Sequence, residues 1–313
     1  MEKGKSFYER LKEKGVSRRD FMKYCTALTA TLGLSSSFVP KVAEVFAAPA
    51  QRPPLIWLHF GECTGCSEAL LRTQYPYIDE LVLEVLSVEY HETIMAAAGH
   101  QAEEQLQHAV NKYDGKFICV VEGSIATKFN GGYGKVGGRS FLEIAKEVCP
   151  KAAAVISIGS CASFGGIPAA APNPGGYKGV GDALGIKPLN IPGCPPNPIN
   201  LVGTVVNYLL LGKLPDLDES GRPLFAYGKT IHDQCPRRSH FENEEFVEAF
   251  GSEEAKMGYC LYLMGCRGPE TYNNCPIAKF NDGTSWPVEA GAPCIGCSQP
   301  NFWDTMTPFY EEL

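Results

Sequence analysis

The chain has 313 residues, of which 44% are hydrophobic and 20% are charged, and its formal net charge is −7. This length and composition are typical of a globular protein with one large or two ordinary domains. The acidic balance argues against nucleic acid and anionic membrane surfaces as partners, and it allows a basic protein partner. Thirteen cysteines indicate disulfides in an exported protein or metal sites in a cytoplasmic one, so the N-terminus has to be considered first.

The N-terminal region is predicted to be a targeting segment. Residues 17–23 read S-R-R-D-F-M-K, and a modestly apolar stretch follows from Tyr24 to Val39. That stretch is too short for a membrane span. Ala48-Pro49-Ala50 has the A-x-A form of a signal-peptidase site. The order of these features predicts a twin-arginine signal over residues 1–50 and a periplasmic mature protein; the alternative is a basic amphipathic helix at the start of a cytoplasmic protein.

Removing residues 1–50 changes both the charge and the interpretation of the cysteines. The segment contains 9 of the 28 basic and 5 of the 35 acidic residues, which leaves 19 basic and 30 acidic residues and a formal charge of −11. Twin-arginine export carries proteins that are already folded, so thiols bound to a metal before export are not available for disulfides. No later segment offers 18 uninterrupted apolar residues, and no membrane span is expected.

Strand and helix patterns alternate through the first two thirds of the mature chain. The predicted strands are Pro54–Phe60, Leu81–Glu89, Phe117–Val121, Ala153–Ile158 and Ile186–Ile191. The predicted helices between and after them are Cys66–Thr73, Ala102–Tyr113, Ser140–Val148 and Asn197–Leu211. This alternation predicts an α/β fold, namely a flavodoxin-like doubly wound parallel sheet over residues 51–213. A smaller and irregular C-terminal domain is expected over residues 214–313.

Four cysteines directly follow the predicted strands. Cys63 and Cys66 come after the first strand, Cys161 after the fourth and Cys194 after the fifth. Loops at the carboxyl ends of parallel strands meet at one edge of a sheet, so we expect these thiols to converge. Four thiolates suit a tetrahedral zinc ion or an iron–sulfur cube. Structural zinc usually takes two short-spaced pairs, whereas only one pair is present here, and this favours iron–sulfur.

Two further groups of metal-ligand types lie in the C-terminal domain. The first consists of His232, Cys235, Cys260 and Cys266. The second consists of Cys275, Cys294 and Cys297, and three cysteines suit a three-iron cluster or a cluster with one open iron. Because regular patterns stop after Gly212, metal sites would supply stability that this domain otherwise lacks. The remaining cysteines are Cys25, Cys119 and Cys149, and no function is predicted for them.

Residues 132–137 match G-x-G-x-x-G. A dinucleotide site requires this motif immediately after a strand and an acidic residue about 20 positions later. Neither condition holds, so the segment is interpreted as a loop. Two other function classes stay open on the residues alone: a zinc-stabilised scaffold without a redox role, and a flavin electron carrier of the flavodoxin type.

Taken in order, the motifs resemble those of nickel–iron hydrogenase small subunits. They are the twin-arginine segment, E-C-T-G-C-S-E at 62–68, G-S-C at 159–161, P-G-C-P-P-N-P at 192–198, H-D-Q-C-P at 232–236 and the cysteine-rich segment 273–298. The resemblance spans nearly the whole chain, and several motifs in the right order are far more specific than any one of them.

The resemblance implies three iron–sulfur clusters and a role in electron transfer. Cys63, Cys66, Cys161 and Cys194 would bind a proximal 4Fe–4S cluster. Cys275, Cys294 and Cys297 would bind a medial cluster, and His232, Cys235, Cys260 and Cys266 a distal 4Fe–4S cluster. The nickel–iron centre would belong to a large subunit, and the electron acceptor would be a basic c-type cytochrome. A quinone-linked respiratory subunit of related fold is a further alternative.

Three other positions carry expectations from the same resemblance. Relatives with a four-iron medial cluster are expected to have a cysteine where this chain has Pro287, so a 3Fe–4S medial cluster is predicted. Oxygen-tolerant relatives add cysteines at positions that correspond to Gly65 and Gly166 here, so an enzyme inactivated by air is predicted. A run of glutamates, Glu242, Glu244, Glu245, Glu248, Glu253 and Glu254, is either a solvated helix face or a docking surface for the cytochrome.

Overall fold

The computed structural model describes residues 6–13, 15–31, 35–47, 52–73, 77–82, 86–281 and 283–311. The strands are β1 (Pro54–His59), β2 (Ser87–His91), β3 (Ile118–Glu122), β4 (Ile125–Ala126), β5 (Lys135–Val136), β6 (Arg139–Ser140), β7 (Ala154–Ile158), β8 (Tyr177–Lys178) and β9 (Leu189–Ile191). The helices are α1 (Phe7–Glu13), α2 (Arg18–Thr31), α3 (Val39–Ala47), α4 (Gly65–Leu71), α5 (Ile78–Glu80), α6 (His100–Lys112), α7 (Phe141–Val148), α8 (Gly159–Phe164), α9 (Val180–Leu184), α10 (Pro198–Leu211), α11 (Leu224–Tyr227), α12 (Ile231–Gln234), α13 (Arg238–Glu242), α14 (Glu253–Met257), α15 (Cys275–Ala278) and α16 (Phe302–Thr305).

The main sheet has five strands in the order β2-β1-β3-β7-β9. Every neighbouring pair in it is parallel. Numbered by their sequence order within this sheet, the strands follow the order 2-1-3-4-5, which is that of the flavodoxin-like doubly wound fold. The predicted fold class is therefore confirmed.

Alternate residues of the central strands pack into two cores, one on each face of the sheet. Leu55 and Trp57 of β1 belong to the core that also contains apolar residues of α10. Ile56 and Leu58 belong to the core formed with α6 and α7. Successive side chains of a strand point to opposite faces of the sheet, so a strand that is buried on both faces is apolar at every position. This explains the continuous apolar run in β1.

Four of the five predicted strands lie within three residues of the observed ones at each end, but the second was wrong at its start. The observed strand β2 begins at Ser87 rather than Leu81. Leu81 instead lies in a helical turn, where its side chain is 1% exposed. It packs into the same core as Leu86. Apolar residues that are buried from a helical turn can be spaced in the sequence like those of a strand, and this explains the error. Residues 83–85 lie outside the described part.

The N-terminal region forms helices that pack on the sheet domain. Leu28, Val42 and Phe46 are buried in the same core as α10, whereas Arg18 and Arg19 are exposed at the start of α2. The predicted cleavage site, residues 48–50, lies outside the described residues. Within the described part of the chain, no helix is both long enough and apolar enough to span a bilayer.

The C-terminal region is built from short helices joined by turns. In the described residues after 213, no α-helix exceeds five residues. Its main core consists of eight buried residues, and two of these are the candidate ligands Cys275 and Cys294.

Candidate metal centre

The first candidate set lies at the carboxyl edge of the main sheet. Cys63 occupies the turn after β1, and Cys66 lies in the first turn of α4. Cys161 lies in α8, directly after β7, and Cys194 follows β9 by three residues. The parallel sheet thus brings the four predicted thiols to one edge, for the reason expected from the sequence.

The four thiols are close enough to influence one another electrostatically. Burial raises the pKa of Cys161 to about 12, and Cys194 and Cys63 act in the same direction. Burial also raises the pKa of Cys66 well above its usual value, followed in effect by Glu122 and the other three cysteines. A cation at this point would reverse the effect, because it stabilises thiolates and releases their protons. The donor set therefore fits a metal cofactor.

Two glycines leave space around the sulfurs. A Cβ atom built on Gly159 would lie 2.4 Å from the Cys66 sulfur, and one on Gly166 would lie 2.5 Å from the Cys161 sulfur. Both glycines have positive φ angles, +83° and +61°. A side chain at either position would displace a candidate ligand. Only glycine therefore lets the backbone come this close to the sulfurs.

Glu122, which the sequence analysis did not select, holds the Cys66 segment in place. Its Oε1 atom accepts hydrogen bonds from the backbone N–H groups of Cys66 at 3.0 Å and Ser67 at 3.2 Å. Its Oε2 atom accepts from Ser67 Oγ at 2.6 Å and from Trp57 Nε1 at 3.1 Å. The carboxylate therefore satisfies the first amides of α4 and fixes the backbone beside a ligand.

A polar cluster surrounds Glu122. The ligand atoms of His59, Glu62 and Glu122 all lie within 4.8 Å of one another, and the His59 ring lies 4.7 Å from the ring of His91. Burial lowers the pKa of His91 to about 3, and His59 acts in the same direction. The signal for this cluster was present in the sequence, because the segments that form β1, β2 and β3 end in His59, His91 and Glu122.

The second candidate set, Cys275, Cys294 and Cys297, is brought together beside the first. Burial raises the pKa of Cys275 well above its usual value, and Cys297 and Cys294 contribute in the same direction. Burial raises the pKa of Cys297 to about 11, while the backbone N–H of Cys194 and the negative charge of its thiolate act on it in opposite directions. A candidate ligand of the first set thus neighbours a candidate ligand of the second. Pro287 lines the same groove as these three cysteines.

The third candidate set encloses a small cavity. His232, Cys235, Cys260 and Cys266 all line one small pocket. Helix α12 places His232 and Cys235 on this wall, and Thr230 caps the helix by accepting from the Asp233 N–H at 3.1 Å. The backbone N–H of Cys294 donates to the Cys266 sulfur at 3.4 Å, so the second and third sets are in contact.

The spacing of the sulfurs bears on the zinc alternative. Four thiolates around one zinc ion lie about 3.8 Å apart, from tetrahedral geometry and a Zn–S distance of about 2.3 Å. Among the described residues, no three cysteine sulfurs lie within 4.8 Å of one another, and the only three-residue group within that limit is the one that contains His59. A cluster binds each thiolate through a separate iron and accommodates the wider spacing.

The cysteines outside these sets have other surroundings. Cys119 and Cys149 are buried in the second core and their thiols contact each other. Cys25 is buried between the N-terminal helices and the sheet domain. The glycine motif at 132–137 forms a turn and part of the β5–β6 hairpin, which agrees with its interpretation as a loop.

Comparison with known proteins matches both halves of the chain. Residues 227–310 match the family of the C-terminal part of NiFe/NiFeSe hydrogenase small subunits, and residues 63–208 match the family "NADH ubiquinone oxidoreductase, 20 Kd subunit". The periplasmic [NiFe] hydrogenase small subunit 1 of Nitratidesulfovibrio vulgaris is 56% identical over 97% of this chain and 96% of its own length. The chain belongs to the nickel–iron hydrogenase small subunits.

Two further relatives extend the comparison. The quinone-reactive Ni/Fe-hydrogenase small chain of Wolinella succinogenes is 52% identical over 97% of this chain and 86% of its own length. The solved Ni-Fe-Se hydrogenase of Desulfomicrobium baculatum matches with a TM-score of 0.79 and 38% identity, over 84% of this chain and all of the matched chain. This hydrogenase small subunit is therefore a periplasmic protein that carries iron–sulfur clusters and relays electrons for an active site located in the large subunit.

Proposed function

We propose that this small subunit holds three clusters of defined type. The first set, Cys63, Cys66, Cys161 and Cys194, would hold a 4Fe–4S cluster. Cys275, Cys294 and Cys297 would hold a 3Fe–4S cluster, since Pro287 offers no fourth ligand. His232, Cys235, Cys260 and Cys266 would hold a second 4Fe–4S cluster. The chemistry that these groups supply when bound is one-electron transfer at low potential.

The observation that carries this proposal is the contact of the three sets in series. Cys194 of the first set acts on the thiol of Cys297 in the second. Cys294 of the second set donates its N–H to the sulfur of Cys266 in the third. An electron relay requires neighbouring centres in a row, whereas structural metal sites have no need of such an order.

The test is an iron count with spectroscopy on the complex of this subunit with its large subunit, purified without oxygen. The ligand count predicts about eleven irons in this chain, as four, three and four. The oxidised protein should show the paramagnetic signal of a three-iron cluster. Cys275→Ser should remove that signal, whereas Cys119→Ala, which alters a buried cysteine outside the sets, should leave it intact. Twelve irons without the signal would contradict the proposal.

The proposed electron acceptor is a basic c-type cytochrome that docks beside the third set. The segment 232–260 contains seven acidic and three basic residues. Glu244, Glu248 and Glu254 are exposed, while Glu242 and Glu253 form ion pairs with Arg238 and Lys256 at 3.0 and 2.6 Å. Phe250 and Met257 in the same segment are 59% and 58% exposed. An apolar centre with a charged surround is typical of a protein docking surface.

The docking surface is tested by neutralising its exposed charges. The variant Glu244→Gln, Glu248→Gln and Glu254→Gln should slow hydrogen-driven cytochrome reduction roughly threefold to tenfold at low salt, and less as salt rises. The control replaces Glu104, Asp114 and Glu219, which are exposed on the sheet domain and the linker after it, by their amides. Activity with a small artificial acceptor should stay constant in both variants. An equal effect of both variants, or no effect of either, would mean that the cytochrome docks elsewhere.

Export by the twin-arginine route is a part of the same proposal. The two arginines begin α2 and are exposed, so they are accessible to a receptor. Replacing Arg18 and Arg19 by lysine should retain the precursor in the cytoplasm, which fractionation of the cells would show. Periplasmic enzyme from that variant would contradict this route.

A further inference from the structure

Ser160 lies between two candidate cysteine loops and is 2% exposed. Its backbone N–H donates to the carbonyl of Gly193 at 3.0 Å. Its Oγ atom accepts from the Gly193 N–H at 3.0 Å and donates to the carbonyl of Cys297. The residue thus pairs with the neighbour of Cys194 on one side and with a ligand of the second set on the other.

The hydroxyl suits this position because both of its roles are needed at once. Gly193 offers an N–H donor and Cys297 offers a carbonyl acceptor, so the group between them must accept one hydrogen bond and donate another. A serine or threonine hydroxyl does both. Alanine would leave the Gly193 N–H and the Cys297 carbonyl without partners. Because an unpaired buried polar group costs free energy, the two loops should move until these groups find new partners.

The Gly193 loop has little freedom to adjust by itself. Gly193 has a φ angle of +151°, and a Cβ atom there would lie 2.6 Å from the Cα of Pro196. The Ser160 hydroxyl is one of the contacts that hold this loop against the C-terminal region, and it spans 137 residues of sequence. Tyr227 Oη donates to the neighbouring Pro192 carbonyl at 2.7 Å. Both contacts connect the sheet domain to the C-terminal region.

The junction between the second and third sets needs no such side chain. There the backbone N–H of Cys294 reaches the Cys266 sulfur at 3.4 Å, and the Arg267 N–H donates to the Cys294 carbonyl at 2.8 Å. Both loops belong to the same region of the chain, and backbone groups alone fix their spacing. The first junction joins two regions that fold around different cores, and there the Ser160 side chain adds to the effect of the Cys194 backbone N–H on Cys297.

We infer that Ser160 is a positioning residue whose hydroxyl fixes the Cys194 loop against the Cys297 loop and so sets the electronic coupling between the first and second metal sites. The inference rests on the proposed ligand sets. When the hydroxyl is absent, the Cys297 carbonyl and the Gly193 N–H both lose their partner. The Cys194 N–H, which lowers the pKa of the Cys297 thiol, then moves with its loop. Hydrogen bonds to ligand sulfurs are one of the factors that set cluster potentials, because they stabilise the more negative reduced state.

The experiment compares three variants of the complete two-subunit enzyme. Ser160→Ala removes the hydroxyl, and Ser160→Thr retains it. Ser163→Ala is the matched control, since Ser163 is a buried serine of the same helix whose hydroxyl donates to the Ser157 carbonyl at 3.2 Å. The readouts are iron content, the midpoint potential of the second cluster, and the magnetic interaction between the first and second clusters.

The expected result is a more negative potential of the second cluster and a weaker magnetic interaction in Ser160→Ala alone, with wild-type values in Ser160→Thr and Ser163→Ala. A fully loaded Ser160→Ala enzyme with wild-type potential and spectrum would overturn the inference. If Ser160→Ala loads incompletely, the inference expects the deficit at the second site, and an equal deficit at the first site would overturn it. Failure of the ligand assignment itself is distinguishable, because Cys275→Ser would then leave the wild-type three-iron signal unchanged.

Discussion

The first ligand set and the two C-terminal sets are supported by different kinds of structure. The first lies at the edge of a five-stranded sheet with an apolar core on each face. The others lie among helices of four or five residues around a core of eight buried side chains that includes two of the cysteines themselves. In the first case the sheet arranges the candidate ligands, whereas in the second the candidate ligands form part of the core.

Metal binding should therefore contribute more to the folding of the C-terminal region than to that of the sheet. A sheet that buries apolar strands on both faces has a core that contains no metal site, so we expect its edge to be arranged before metal binds. A region with a small buried core and many turns gains much of its stability from the metal, and binding free energy then becomes folding free energy. The two regions should therefore respond differently to loss of iron.

Removing the iron should produce the largest effect. After chelation of the reduced protein, we expect backbone amides in residues 227–310 to lose protection against hydrogen exchange, because that core contains ligands. Amides of β1, β3 and β7 should remain protected. Hydrogen exchange followed by mass spectrometry of peptides measures both regions in one sample. Equal loss of protection in the two regions would contradict this account.

Air should abolish hydrogen oxidation, because the first set carries only its four cysteines. Gly65 and Gly166 add no ligands, and the two positions differ in the space that they leave for a side chain. A Cβ on Gly65 would lie 3.1 Å from the Cys63 sulfur, whereas Gly166 combines a contact of 2.5 Å with a φ of +61°. We therefore expect Gly65→Cys to load iron and Gly166→Cys to lose it, as an iron assay would show. Sustained hydrogen uptake in air by the natural protein would contradict the prediction.

Glu122→Gln should destabilise the sheet domain. The amide group of glutamine would face either two backbone N–H groups or the donors of Ser67 and Trp57, so donors would oppose donors. Loss of hydrogen bonds to a buried charge should lower the free energy of unfolding by about 2 kcal/mol. Urea unfolding of the iron-loaded protein measures this change.

The control for that variant is Glu68→Gln in α4, the helix whose first amides donate to Glu122. The Glu68 side chain is 57% exposed and pairs with Arg72 at 2.7 Å. An exposed ion pair of this kind contributes about 0.5 kcal/mol or less. Equal effects of the two variants would mean that the buried carboxylate has no special role.

Pro287→Cys should have the smallest effect on stability and a specific effect on the second cluster. The new thiol lies in the groove that contains Cys275, Cys294 and Cys297, so it should add about one iron and lower the cluster's potential. Ala290→Cys places a thiol in the same groove and serves as the control, for which no added iron is expected. Iron analysis with paramagnetic resonance distinguishes the two. Retention of the three-iron signal in the proline variant would contradict the ligand assignment.

Much of the fold and of the site could be predicted from local patterns. Alternation of apolar strands with helices is a local property, and it indicated a parallel sheet with cysteines following three of its strands. The distance in sequence between Cys63 and Cys194 does not indicate that the two thiols are neighbours. The topology of a parallel sheet was sufficient to predict that they meet at one edge. The start of β2 was missed because Leu81 is buried in a helical turn. A buried position is apolar in a helical turn and in a strand alike, so its residue type does not distinguish the two.

The sequence by itself determined the fold class, the candidate ligand types and the family, because all three depend on residue types in a fixed order. Only the tertiary structure decided which polar groups support the ligands. Glu122 meets the amide of Cys66 across 56 residues, and Ser160 meets Cys297 across 137. Such contacts depend on the register of paired strands and on how two domains pack, and these are set by the free energy of the whole fold rather than by the residues near each position.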